Sequence, residues 1–210
     1  MGLTLHYELR LPATTSDEDV TATLSGMRTF AETLSFAEVT TLNVQPADGG
    51  WLALWANLIA RPHEDEAVPM TGDAGTARGF LVNAGNGCES AVLGFLRRAD
   101  ATGTRQEWYW YSFCKTQYAS VVSEAHFLTC HKSLVALLEH AATLGVEVIV
   151  RDDGRYWDTR DESLLVEEVR KMNRLVARIA GTLSDAMGPS HEVDAAIFDH
   201  REFERLEMGE

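Results

Sequence analysis

The chain has 210 residues, of which 45% are apolar and 24% are charged, a composition typical of an ordinary globular protein. Acidic residues outnumber basic ones by 32 to 18, which gives a formal charge of −14 at pH 7. A field of that sign repels nucleic acid and anionic membranes, and no run of basic residues is dense enough to reverse it. We therefore expect neither nucleic acid nor a membrane among the partners.

Cysteine usage and the N-terminal sequence indicate the compartment. The three cysteines, Cys88, Cys114 and Cys130, are odd in number and widely spaced, which argues against a disulfide framework and favours a reducing environment. The N-terminus lacks the basic start and apolar core of a signal peptide. The most apolar stretch, 51–60, is about half the length that spans a bilayer. These features predict a soluble cytoplasmic protein.

The N-terminal segment predicts a strand–helix–strand unit. Apolar and polar residues alternate over 3–11, the pattern of a strand with one solvated face. Ser16 is placed to cap a helix, and 39–44 forms the second strand. The helix carries an apolar stripe at steps of three and four residues: Val20, Leu24, Met27, Ala31 and Leu34.

The middle of the chain predicts further strands. We expect a strand over 51–59, a long polar loop over 61–78 and a hairpin formed by 79–82 and 90–97. An aromatic strand then runs over 108–119.

The C-terminal part predicts two long helices around one more strand. Ser123 caps the first helix, Gly145 ends it, and a strand follows over 146–151. The first helix has an apolar stripe of Phe127, Cys130, Leu134, Leu137 or Leu138, Ala141 and Leu144.

Asp153-Gly154 predicts a two-residue hairpin. Thr159 and Glu162 predict a capping box for a helix that runs to about Met187. The stripe of that helix is Leu165, Val169, Met172, Val176, Ile179 and Leu183. Packing of this stripe on the sheet is favoured over a coiled-coil homodimer because it covers fewer than three heptads.

Strand–helix–strand thus occurs twice, over 3–44 and 108–151, without a repeat at the level of residues. The predicted fold class is α+β, with a mostly antiparallel sheet and three main helices packed on one face. We expect a single domain over 1–190 and an acidic tail or short surface helix over 191–210.

The aromatic strand offers a candidate binding site because its faces turn from apolar to polar toward its end. Trp110, Lys115 and Gln117 are the binding candidates there. The alternative is that any strand becomes polar as it leaves the core. A second candidate is the charged run 151–161, where Asp158 and Arg160 form a polar rim for a charged ligand. Turn formation and helix capping account fully for that run without a ligand and are the favoured interpretation.

Cys114 is a candidate nucleophile. His131 or His126 would act as its base, and Asp152 or Asp153 would orient the histidine. The set we choose is Cys114, His131 and Asp153. A buried cysteine is more often a small apolar filler.

Two ligand sites have weaker support. Histidine and cysteine bind zinc, and a zinc site could be formed by His126 and Cys130 together with Cys114 and His131. Cys130, however, also belongs to the apolar stripe. The 85–87 loop resembles a phosphate loop but lacks the third glycine of that pattern. We therefore predict neither a metal nor a cofactor.

Two functional hypotheses follow. The first is a module without catalytic activity that binds a small molecule or a protein. The second is a cysteine-dependent hydrolase or acyl-transfer enzyme that uses the triad named above. The first is favoured because every candidate catalytic residue also has an adequate structural explanation.

Overall fold

The computed structural model describes residues 2–46, 76–99, 106–187 and 195–209. Within these ranges the strands are β1 (Thr4–Leu11), β2 (Glu38–Val39), β3 (Asn43–Pro46), β4 (Thr76–Asn83), β5 (Ser90–Ala99), β6 (Gln106–Lys115) and β7 (Glu147–Asp152). The α-helices are α1 (Asp17–Ala31), α2 (Ala119–Val122), α3 (Glu124–Thr143), α4 (Tyr156–Thr159), α5 (Glu162–Met187) and α6 (Phe203–Met208), and Ala196–Asp199 forms a 3-10 helix.

The strands form one sheet in the order β2-β4-β5-β6-β1-β7, and β3 also pairs with β4. Every pairing among the described strands is antiparallel. Helices α1 and α3 pack on one face of this sheet and share its apolar core. The predicted α+β class is confirmed, and β1 lies between β6 and β7, the last strand in this order, and pairs with both.

Alternation in β1 and the helix caps explain the local structure. The core face of β1 is fully buried, whereas the opposite face is half-buried; the core residues are Leu5, Tyr7, Leu9 and Leu11. Ser16 Oγ accepts from the Asp19 N–H at the start of α1, and Ser123 Oγ accepts from the His126 N–H at the start of α3, both at 3.1 Å. Both caps were predicted from the sequence.

Several predicted strands differ from the structure. The strand expected over 39–44 is divided between β2 and β3. The aromatic strand ends at Lys115 rather than at residue 119, because the chain turns there and the Ala119 N–H donates to the Thr116 oxygen at 3.1 Å. The strand predicted over 51–59 lies outside the described residues, as does the loop over 61–78 apart from 76–78, which begin β4.

The hairpin predicted at Asp153-Gly154 is wrong. Asp152 instead accepts hydrogen bonds from the backbone N–H groups of Gly154 and Trp157, which folds the chain into α4. Left-handed Arg155 precedes that helix.

The predicted capping box of α5 is wrong as well. Asp161 Oδ1 accepts from the N–H groups of Ser163 and Leu164 at 2.8 and 3.1 Å, so Asp161 caps α5. Thr159 belongs to α4, where its hydroxyl donates to the Arg155 oxygen at 2.8 Å.

Helix α5 buries its predicted face only at the start. Leu165 and Val169 are buried, but Ile179 and Leu183 are 36% and 49% exposed. The later turns bury small residues, Ala177, Ala180 and Gly181, against the 3-10 helix and α6. The chain after α5 therefore replaces the sheet as the packing partner of these later turns, and the coiled-coil homodimer stays the less favoured alternative.

The C-terminal segment contributes Ile197 and Leu206 to this small core. Across the described parts of the chain, no helix combines the length and the apolar composition that crossing a bilayer requires.

Candidate functional site

Cys114 does not contact the histidine that the triad hypothesis assigns to it. Its side chain is fully buried, and its thiol donates to the Glu89 backbone oxygen at 3.0 Å. Leu5 pairs with Cys114 on one side and with Asp152 on the other. Because neighbouring strands are about 4.8 Å apart, the cysteine lies two strands away from the aspartate, with a leucine between them.

His131 instead joins a buried chain of hydrogen bonds. Its Nδ1 lies 2.9 Å from Thr116 Oγ1, and its Nε2 lies 3.1 Å from Asp152 Oδ2. A carboxylate only accepts, so Nε2 carries a proton, and in the neutral ring the threonine hydroxyl donates to Nδ1. Thr116 and Asp152 thus take the positions that the sequence analysis gave to Cys114 and Asp153.

The Asp152 carboxylate is stabilised by several donors. Burial opposes its ionisation, but the hydrogen bond and charge of His131, together with the N–H groups of Trp157 and Gly154, lower its pKa below the usual range. The side chains of His131 and Asp152 are both 0% exposed. This burial favours a structural role, because no substrate reaches a fully buried pair without a change in the fold.

Asp153 faces away from the histidine. It is exposed, and its carboxylate accepts from the Thr4 N–H at 3.3 Å. Side chains alternate along a strand, so the Leu5–Asp152 pair faces the core and the next residue does not. Asp152 and Asp153 are adjacent in the sequence, but their side chains lie on opposite sides of the sheet, and only the strand pairing shows which of them faces the core.

Trp110 is part of the core. Its ring is 1% exposed, and its Nε1 donates to the Val92 backbone oxygen at 2.8 Å. Tyr7 donates its hydroxyl to the same oxygen at 2.8 Å. These two bonds join β1 and β6 to β5, so Trp110, a binding candidate from the sequence, packs in the core and lines neither of the two cavities described below.

Lys115 and Gln117 are separated by the turn after β6. Lys115 pairs with Glu89 at 3.0 Å. Gln117 is fully buried; its Oε1 accepts from the Leu3 N–H, and its Nε2 donates to Asn173 Oδ1, both at 3.0 Å. Gln117 therefore ties the N-terminus to α5.

Asp158 and Arg160 lie on the surface around α4. Asp158 is exposed. The Arg160 guanidinium stacks 4.9 Å from the Trp157 ring and pairs with Glu139 of α3. Neither residue lines either of the two cavities described below.

The residues considered for zinc do not converge. Both ring nitrogens of His131 already bind Thr116 and Asp152. Within the described ranges, no three histidine, cysteine, aspartate or glutamate side chains are grouped so that they could hold a metal ion.

Cys114 is expected to be the slowest of the three thiols to react with iodoacetamide, by at least about tenfold relative to Cys88. The pKa values of both thiols are raised, that of Cys114 by burial and that of Cys88 by Cys130 and burial. The expected difference in rate therefore comes from access, because Cys114 is fully buried whereas Cys88 is half-buried. Timed alkylation at neutral pH followed by peptide mass spectrometry measures the order, and alkylation in guanidinium is the control in which the difference disappears. Faster labelling at Cys114 would revive the nucleophile hypothesis.

The larger of two cavities that described residues line lies between the start of α3, the middle of α5 and the C-terminal segment. It has a volume of about 300 Å³, the lower end of the range for small-molecule sites. Asn173, 3% exposed, lies at its floor, where its Nδ2 donates to Ser120 Oγ at 2.9 Å. The apolar part of the wall includes Val121, Val169 and Leu206.

Positive charge dominates the wall of this cavity. Three arginines and two glutamates line it: Arg170, Arg174, Arg201, Glu124 and Glu202. Arg170 binds Glu124 at 2.7 Å, but half-buried Arg174 forms no ion pair or hydrogen bond with any described residue. The dipole of α3, whose first turn borders the cavity, adds partial positive charge.

His200 completes the wall. Burial holds the pKa of its imidazole below the usual range, helped by Arg201 and opposed by Glu202. Its Nδ1 accepts from the Glu202 N–H at 3.2 Å, so the neutral ring carries its proton on Nε2.

The smaller cavity lies over β1, β6 and β7, on the face of the sheet that is opposite to helices α1 and α3. Its volume is about 140 Å³, below the usual range for a ligand site. His6 and Tyr111 border it and are hydrogen-bonded at 3.0 Å. We therefore take the larger cavity as the candidate site.

No pattern in the sequence predicted a binding role for Arg174, Arg201 or His200. One signal was available, since Arg170 and Arg174 are four residues apart and share a face of a predicted helix. Their meeting with the C-terminal segment and with the start of α3 depends on the fold. The chain matches none of the protein-family models, curated proteins or solved structures with which it was compared.

Proposed function

We propose that this protein is a binding module without catalytic activity that takes a small anionic molecule, bearing a carboxylate or phosphate group, into the cavity between α3, α5 and the C-terminal segment. The observation that carries the proposal is Arg174, a half-buried guanidinium on the cavity wall that has no partner among the described residues.

The charge balance supports an anion. The chain carries a formal charge of −14, so a cavity wall with more arginines than glutamates departs from the rest of the molecule. A guanidinium presents several N–H donors in one plane, which suits carboxylate and phosphate oxygens. A bound anion would supply the partner that Arg174 lacks.

The polar floor supports a small ligand held in one orientation. Asn173 is fixed from two sides, by Gln117 at 3.0 Å and by Ser120 at 2.9 Å. Its amide therefore stays in place without a ligand, which limits the entropy lost on binding. The valines and the leucine of the wall would contact the apolar part of the ligand.

The burial of Cys114 supports binding over cysteine-dependent catalysis. Its thiol has a raised pKa and contacts a backbone oxygen, and Leu5 separates it from Asp152. A nucleophilic cysteine needs thiolate character and access to substrate.

The test compares Arg174→Ala with Arg178→Ala. Arg178 lies one helical turn later on α5, is exposed and does not line the cavity, so it is a matched control for loss of charge. Isothermal titration with inorganic phosphate and with succinate should show that Arg174→Ala weakens binding by about 10- to 100-fold, the value of a charge-assisted hydrogen bond. Arg178→Ala should bind as the wild type does.

All titrations are run at constant ionic strength, set with sodium chloride, to remove general screening. Equal weakening in both variants would mean that only the overall field attracts the anion. No binding of either probe to the wild type would contradict the proposed anion site.

A further inference from the structure

Strand β7 has an edge that no other strand in the described part of the chain covers. It is the last strand of the sheet, and there it pairs with β1 on one side only. The Asp153 N–H, just after β7, donates to the Thr4 oxygen at 3.1 Å. Because hydrogen bonding alternates along an antiparallel pair, the odd-numbered residues of β7 direct their backbone groups at β1. The N–H and C=O groups of Val148 and Val150 point the other way, to the outer edge of β7, where no described residue binds them.

The side chains along β7 carry opposite charges at two positions that reversal of the strand would exchange. The stretch 147–151 reads Glu-Val-Ile-Val-Arg, so reversal swaps the charges and leaves the apolar centre unchanged. Glu147, Ile149 and Arg151 are exposed on the face of the sheet opposite to α1 and α3. Neither charged side chain forms an ion pair or a hydrogen bond with another described residue. Both are therefore available to a partner at this edge.

We propose that two copies of this chain form a symmetric dimer by pairing their β7 strands in antiparallel orientation, with Ile149 on the two-fold axis. In this register the outward backbone groups of Val148 meet those of the partner's Val150, and each such pair exchanges two hydrogen bonds. Glu147 then lies opposite the partner's Arg151, at two symmetric places. The sheet continues from one copy into the other, a mode of assembly that exposed strand edges permit.

The charges select this register over its neighbours. A shift by two residues is the smallest that keeps the outward backbone groups paired, because hydrogen bonds and side chains alternate with a period of two. Shifted one way, Glu147 faces the partner's Asp153; shifted the other way, it faces the partner's Ile149. Opposite charges directly across a strand pair stabilise it, whereas like charges destabilise it.

The arrangement of charges identifies the partner as a second copy. Edge strands often carry charges that keep other strands away, and a single lysine there would repel a second copy. Glu147 and Arg151 attract one instead, since each meets its opposite in the two-fold arrangement. The pairing also places Val148 and Val150, which are half-buried against the core, next to their copies. No residue of β7 lines the proposed anion cavity, so the two proposals are independent.

Sedimentation velocity of the full-length chain measures the dimer at micromolar concentrations and about 0.15 M salt, which screens the overall repulsion between acidic copies. The wild type should have twice the mass of one chain. Glu147→Arg and Arg151→Glu each place two like-charged pairs across the interface and should weaken dimerisation by at least about tenfold. An equimolar mixture of the two variants should form a dimer again, because every charged pair in it joins an arginine to a glutamate.

Ile149→Lys and Leu183→Lys form the matched comparison. The two residues are exposed to similar extents, 44% and 49%, but Leu183 lies on α5, where a coiled coil would form. Ile149→Lys should be a monomer, whereas Leu183→Lys should remain a dimer. A monomeric wild type, a dimer that Leu183→Lys breaks, or folded charge variants that do not associate when mixed would overturn the proposal. Circular dichroism identifies the folded variants, and the mass of the wild type is decisive even if a substitution prevents folding.

Discussion

Replacement of Asp152 by alanine is expected to lower the free energy of unfolding by about 3–5 kcal/mol, the cost of breaking a buried ion pair or hydrogen-bonded charge. The carboxylate accepts from His131 Nε2 at 3.1 Å, from the Trp157 N–H at 2.9 Å and from the Gly154 N–H at 2.7 Å. Alanine leaves all three donors without their acceptor, two of them in buried hydrogen bonds and the Trp157 N–H in a partly buried one. Urea denaturation followed by circular dichroism measures the loss.

Asp153→Ala is the matched control for Asp152→Ala. The neighbouring carboxylate is exposed and accepts one long hydrogen bond, from the Thr4 N–H at 3.3 Å. Its loss should cost about 1 kcal/mol or less. Equal losses in the two variants would contradict the assignment of Asp152 as the residue that holds the turn after β7.

The same pair of variants shows the pH dependence. The pKa of the Asp152 carboxyl group is lower in the folded protein than in the unfolded chain, where it is about 3.9. The stability that this group contributes is therefore fully present above the unfolded-state pKa. It is lost as the pH falls through the folded-state pKa. The wild type should therefore lose part of its advantage over Asp152→Ala below about pH 4. Unfolding curves from about pH 6 to about pH 3 measure this convergence, and a constant gap would contradict the lowered pKa.

Gly87→Ala is expected to cost about 3 kcal/mol or more, the sum of a left-handed backbone and an overpacked contact. Gly87 has a φ of +82°, and a Cβ there would lie 2.5 Å from the Tyr118 carbonyl carbon and closer still to its oxygen. Because the obstacle is backbone, it cannot rotate away. The substitution would separate the β4–β5 hairpin from the turn that follows β6.

Gly145→Ala separates the two contributions to that cost. Gly145 has nearly the same φ, +85°, but a Cβ there would meet nothing within 4 Å. Only the backbone strain remains, about 1 kcal/mol. Thermal and urea denaturation of both variants would test the difference, and equal stabilities would mean that the hairpin does not approach the turn as closely as the structure shows.

Local patterns predicted much of the fold because they act over a few residues. Ser16 and Ser123 are capping residues in front of apolar stripes, and both cap helices. The failures are also local in origin. Asp153-Gly154 has the composition of a hairpin, but Asp152 binds the next backbone N–H groups and turns the chain into α4.

The candidate sites were harder to predict, because they depend on register and on distant contacts. The sequence predicted His131 as a base for Cys114, with Asp152 or Asp153 as its partner; in the structure its ring lies next to Thr116, which no sequence pattern indicated, and next to Asp152. The pairing of Leu5 with both Cys114 and Asp152 decides this, and it joins three strands that are far apart in the chain.

The sequence by itself determined the fold class, the acidic charge and most helices and strands, because hydrophobic periodicity and capping are written in neighbouring residues. Only the tertiary structure decided which polar groups meet. Asn173 binds Gln117 and Ser120, and Cys130 binds the Ala84 oxygen, through contacts between residues more than 40 positions apart in the chain. Such contacts follow from the packing of helices on a sheet, and no local pattern encodes them.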